Sequence, residues 1–154
     1  MTAYNEIYLN DAMQNLGEAF DYAVNVCGLD PDRFYDLFVS SGIADQFGIG
    51  NPKYVSGLSG TELVLNILPG FETNTSFADA QIEYDYSREY WAGWILAYYQ
   101  WYKCVSFQRI HENISMGDIL NLYPALHEAS EDKFVDTLDA VIIHKAHAEH
   151  EYIK

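Results

Sequence analysis

The five histidines and two cysteines are the residues of this sequence best suited to ligating a metal or carrying nucleophilic chemistry. His144, His147 and His150 follow one another at intervals of three, with Glu151 four after His147. Histidines one turn apart on a helix can chelate zinc, but a site needs further ligands from elsewhere. Near a helix C-terminus the same imidazoles simply suit the dipole, so no metal is expected. His111-Glu112 and His127-Glu128 are adjacent pairs, and neighbours on a helix do not face one another. Cys27 and Cys104 fit neither a CxxC site nor a disulfide framework. Cys27 falls on an apolar helix face and is expected to be a buried free thiol. Gly48-x-Gly50 has no preceding strand and no following Gly-Lys-Ser/Thr, so it is no nucleotide motif. No serine or cysteine stands in a nucleophile-elbow or papain-type context. The expectation is a chain without enzymatic activity or cofactor. A small enzyme stays as an alternative, because catalytic residues need not be close in sequence.

The acidic residues are the stronger signal. Across 154 residues, 23 Asp and Glu stand against 8 Lys and Arg, a net charge of −15. Residues 1–87 carry a net −11 and residues 88–154 a net −4. This argues against direct nucleic-acid binding, whose footprint is basic, and against adhesion to an anionic membrane. Spread evenly, the charge amounts to about one per 500 Å² of folded surface. Duplex DNA carries about one per 100 Å², so a mimic has to gather its carboxylates on one face. An acidic surface kept only for solubility is the plainer alternative. The first residues lack a basic and apolar leader pattern. The longest apolar run, Trp91 to Tyr99, has nine residues and is interrupted by Gly93. A cytoplasmic protein without membrane association is expected.

Hydrophobic residues make up 49% of the chain, enough for a core. Leu9, Met13, Leu16, Phe20, Ala23 and Cys27 recur at helical spacing and predict a helix from about Tyr4 to Cys27, ended by Gly28. Asp30-Pro31 opens a second helix to Ser41 with Phe34, Leu37 and Phe38 inward. A glycine-rich loop is expected from Phe47 to Gly60, then a capping box, Ser59 with Glu62, for a helix to Leu68. Ile82, Tyr84 and Tyr86 alternate with Glu83 and Asp85, the pattern of a short strand or single hairpin. Ser87, Ser106, Ser115 (boxed with Asp118) and Ser130 open four further helices, the third stopping before Pro124. The fold class expected is mainly α: a compact helical bundle of about seven helices with at most one short strand pair. It divides into an N-terminal acidic helical lobe (1–70), an acidic linker or short hairpin (71–87) and a C-terminal aromatic-rich helical lobe (88–154), together forming one compact unit.

Ten aromatics fall between Phe77 and Tyr102. Trp91, Trp94, Ile95, Tyr98, Trp101, Tyr102 and Val105 are expected on one face of the helix that Ser87 opens. Some rings then lie at a rim, where the body is buried and the polar tip is wet. A central core helix is the alternative reading.

Val105 to Ile110, followed by Asn113 to Leu120, resembles the two central helices of phage-repressor-type DNA-binding domains, with Ser115 and Ile119 matching the second helix. The interval between Ser106 and Ser115 is short for that family. The would-be reading helix offers Met116, Gly117, Asp118 and Asn121 and no Arg or Lys to reach guanine. The resemblance thus implies a degenerate helix-turn-helix in the C-terminal half. Three longer strings, Ser87 to Trp101, Ser40 to Tyr54 and Tyr123 to Glu128, resemble small acidic proteins of gut Firmicutes. That resemblance implies a mobile-element or toxin–antitoxin-like setting and carries no catalytic residues with it.

The function expected is a small acidic protein-binding antagonist, antitoxin-like or anti-CRISPR-like, mimicking nucleic acid toward a basic groove. Its partner is a basic protein: a toxin, nuclease or CRISPR effector. Asp30, Asp32, Asp36, Glu72, Asp79, Glu83 and Asp85 are the expected electrostatic contacts, with Tyr84, Tyr86 and Tyr90 as anchors. The alternative is a transcriptional regulator on the degenerate helix-turn-helix, for which a homodimer stays open.

Overall fold

The computed structural model describes residues 1–68 and 87–152, the side chains of 149–152 excepted. Among the described residues the chain is mainly helical and contains no strand; the expected strand at residues 82–86 lies outside them. A 3-10 turn, Glu6–Tyr8, leads into α1, Leu9–Asp21, which runs on into a π-helical segment, Tyr22–Val26. There follow α2 (Pro31–Ser40), α3 (Ile43–Gly48), α4 (Pro52–Val55) and α5 (Gly60–Ile67). The second half holds α6 (Arg88–Lys103), α7 (Phe107–Asn113), α8 (Met116–Asn121), α9 (Tyr123–Leu126) and α10 (Glu131–Tyr152).

Ten α-helices among the described residues replace the expected seven. The three additions are α3, α4 and α9, of six, four and four residues. Each is too short to complete two turns, so no hydrophobic period announces it. Helix α8 ends at Asn121, before Pro124 as expected, and Pro124 sits in the first turn of the additional α9, where its missing N–H costs nothing.

The start signals act as local chemistry dictates. Ser59 and Glu62 form a capping box at α5, and Ser115 and Asp118 form one at α8. Ser87 accepts from the Tyr90 N–H, and Ser106 from that of Arg109. Each satisfies an N–H that the first turn leaves unpaired.

Helix α1 is the hub. It crosses α6 so closely that a Cβ on Gly93 would lie 2.5 Å from the Leu16 carbonyl oxygen. On another side α5 approaches, and a Cβ on Gly60 would lie 2.5 Å from the backbone of both Asn15 and Ala19. Helix α6 is therefore buried around most of its circumference: Trp91, Ala92, Ile95, Leu96, Tyr99, Gln100 and Trp101 are all inside. The expected single apolar face is thus corrected. Tyr102, assigned to it, is 48% exposed, while Tyr99, left off it, is buried. The reason is that α1, α8, α9 and α10 all pack around this one helix.

A run of edge-on and stacked rings joins the halves. Phe20 of α1 meets Phe34 at 5.0 Å, and Phe38 meets both Phe47 (6.0 Å) and Phe107 (5.1 Å). Edge-to-face pairs add about 0.5–1.5 kcal/mol each beyond the area they bury. Residues of both halves share one core. No helix among the described residues is long and apolar enough to cross a membrane.

Candidate functional site

The acids of α2 were expected to face a partner. Asp30 is the N-cap of α2, accepting from the backbone N–H of Asp32 and of Arg33, each at 3.1 Å. Asp32 reaches across to α8 and accepts from the N–H of Met116 at 2.6 Å and of Gly117 at 3.3 Å. Asp36, one turn further on, is hydrogen-bonded to His111 Nε2 at 2.9 Å. The His111 ring stacks on Tyr35 with centroids 4.0 Å apart, and the buried Tyr35 hydroxyl donates to the Phe107 carbonyl. Burial, then the charge of Asp32, pushes that hydroxyl well above the usual tyrosine range. These three carboxylates therefore fasten α2 to itself, to α8 and to α7.

Tyr90, the expected anchor, lies partly buried at the crossing of α1 and α6. Its ring carbons are 3.1 Å from where a Cβ on Gly17 would be. Glu72, Asp79, Glu83, Asp85, Tyr84 and Tyr86 lie outside the described residues.

The segment resembling a reading helix is integrated in the fold. Met116 and Ile119 of α8 are buried, and its N-terminus is taken by Asp32. Asp118 pairs with Lys145 of α10. Burial alone would raise the Asp118 carboxyl, but hydrogen bonds from Lys145 and Ser115, with the Lys145 charge, hold it below the usual carboxylate range. Asn121 remains exposed.

A different acidic and aromatic surface forms where α6 meets the start of α10. Asp132, Asp136 and Asp139 stand at i, i+4 and i+7, on one side of α10. The Tyr98 hydroxyl donates to Asp132 at 3.0 Å, and the Tyr99 hydroxyl to Asp139 at 2.7 Å. Lys103 pairs with Asp139 at 3.0 Å. Burial, the hydrogen bond to Asp132 and the charges of Asp132 and Glu131, with Tyr102, push the Tyr98 hydroxyl up to about 12. Burial and then Asp139 raise Tyr99 as well. Tyr102 stacks on Tyr98 at 5.9 Å with its ring open to solvent. Asp136 is exposed and has no ion-pair partner among the described residues. The spacing of these acids is visible in the sequence; the tyrosines that flank them are brought there only by the fold.

The exposed His144 and His147 stand on α10. Cys27 is half-buried, and burial raises its thiol; Cys104 is exposed. Comparison of the chain with protein-family models, with curated proteins and with solved structures finds no match in any of the three.

Proposed function

We propose that this chain is a small acidic protein-binding antagonist that sets a carboxylate face against the basic groove of a toxin, nuclease or CRISPR effector. The observation that carries the reading is the α10 stripe. Asp132 and Asp136 are exposed, Asp139 lies between, and Tyr98 and Tyr102 flank them. Lys103 is the one cation bonded within it among the described residues. Carboxylates gathered on one face are what a nucleic-acid mimic requires. Exposed tyrosine next to them supplies contact area at low entropic cost. A toxin–antitoxin-like setting, implied by the resemblance above, suits such an antagonist.

In this reading α10 contributes the contact through Asp136, which has no ion-pair partner among the described residues, and through the exposed Asp132 beside it, and the exposed Asp30 and Asp36 of α2 add to the acidic surface. The test is a pull-down with the tagged protein from nuclease-treated lysate of the source cells, washed at low and at high salt. A stoichiometric basic protein, held at low salt and released at high salt, is the expected result. A folded protein that retains nothing, or retains a partner regardless of salt, would refute the proposal.

A further inference from the structure

Helix α10 is 22 residues long, about 33 Å, and packs on the bundle by one side. Phe134, Val135 and Leu138 are buried on that side, and Val141 and Ile142 continue it half-buried. Lys145, half-buried as well, closes it by pairing with Asp118. The opposite side carries a seam of Asp136, Ala140, Ile143 and His147, at intervals of four, three and four, and all four residues are exposed. Ile143 leaves 58% of its surface in solvent. Intervals of three and four are those by which two helices pack along their length.

The seam is complementary to itself when turned end for end. Residues 131–139 hold Glu131, Asp132, Asp136 and Asp139 against one cation, Lys133, whereas residues 140–148 hold His144, Lys145 and His147 and no acid. A two-fold axis crossing α10 at its midpoint, between Val141 and Ile142, sets Asp136 opposite His147 of a second copy and Ala140 opposite its Ile143, and the symmetry repeats each pair. A large apolar side chain then meets a small one in the middle layers, and a carboxylate meets an imidazole N–H in the outer ones. The same pairing of carboxylate and imidazole stands inside the chain, between Asp36 and His111 at 2.9 Å. A parallel arrangement instead sets Asp136 on Asp136, like charge on like charge, and aligns the two helix dipoles in the same sense. Because the axis passes the middle of the helix, the two helices overlap from end to end. Each bundle lies on the far side of its own helix, clear of the other.

We propose that a second copy of this chain docks antiparallel on the exposed seam of α10, with Asp136 of each copy against His147 of the other and Ile143 against Ala140. One helix on one helix is a small interface, so the dimer is expected at micromolar rather than nanomolar concentration. The proposal does not rest on the antagonist reading, although both use Asp136, where a second copy and a basic groove exclude one another. Sedimentation of the pure chain tests the dimer with no partner present, so its failure says nothing of the antagonist.

The experiment is sedimentation equilibrium of the whole chain over a concentration series reaching the high micromolar range. A reducing agent keeps the exposed Cys104 from forming a disulfide, and each variant is matched to the parent in helicity by circular dichroism. The parent is expected to pass from monomer to dimer across the series. Ile143→Glu, which sets a carboxylate in the middle of the seam, is expected to weaken association at least about tenfold. Asp136→Lys and His147→Asp are each expected to weaken it by breaking the outer pair. The two together are expected to restore it, because a lysine then faces an aspartate across the antiparallel seam; a parallel pair would set lysine on lysine and gain nothing. All three positions are exposed, so the core is left alone. A parent that stays monomeric throughout, a dimer indifferent to Ile143→Glu, or a double variant no better than either single one would overturn the proposal.

Discussion

The carboxylate of Asp32 sits where α8 begins and receives two N–H groups that the helix cannot pair internally. An oxygen in that position also meets the positive end of the helix dipole. Asp32→Ala is expected to cost about 2 kcal/mol, at the upper end of measured caps, because it removes both acceptors. Asp32→Asn, which keeps one, is expected to cost less. Urea denaturation of the three proteins checks the order, and an Asp32→Ala protein as stable as the parent would show that the latch contributes nothing. Asp36 is likewise hydrogen-bonded to His111, and Asp118 pairs with Lys145. Counting acids therefore does not show which of them also bond within the chain: Asp32, Asp36, Asp118, Asp132 and Asp139 all do.

At the scale of elements the closest contact is the crossing of α1 and α6. Gly93→Ala puts a methyl group 2.5 Å from the Leu16 carbonyl oxygen and 2.9 Å from the Phe20 ring, so one helix must move. The expected loss is about 3 kcal/mol, typical of the harsher overpacking changes, read as a lower midpoint with an unchanged denaturant slope. A midpoint within error of the parent would mean that the helices slide apart freely. Much of this layer is legible in the sequence. The serine caps of α5, α6, α7 and α8 lie within three residues of the N–H groups they satisfy, and so the text of the sequence contains them. The single-turn helices α3, α4 and α9 are not legible, since four to six residues hold no period. The burial of α6 on most sides is legible as the central core helix that its aromatics allow, but which of its rings stay wet is not, because periodicity reports a face only where one side stays wet. The α2 latch is illegible for another reason: 84 residues separate Asp32 from Met116, and pairing over that distance is set by the packed fold. The α10 acids are legible as a stripe, but not their tyrosine neighbours, which come from α6.

At the scale of the whole molecule, tyrosines link stability to alkaline pH. Tyr35, Tyr98 and Tyr99 all have hydroxyls raised above the ordinary value near 10. For a group raised in the folded state, stability is fully present below the unfolded value and is lost as pH rises through the folded one. Unfolding free energy is therefore expected to hold steady to about pH 10 and to fall above it, with part of the tyrosinate absorbance appearing only on unfolding. A single titration wave near pH 10 with the fold intact would contradict this. The acidity of the molecule has a second consequence, the one on which the functional account depends. If α10 presents the contact, reversing charge there abolishes recognition while leaving the core alone. The decisive measurement is partner capture by Asp132→Lys/Asp136→Lys beside the parent protein, at equal helicity by circular dichroism. Loss of a salt-sensitive basic partner from the variant is the result the account predicts. Undiminished capture would contradict it, and would place the contact elsewhere on the chain.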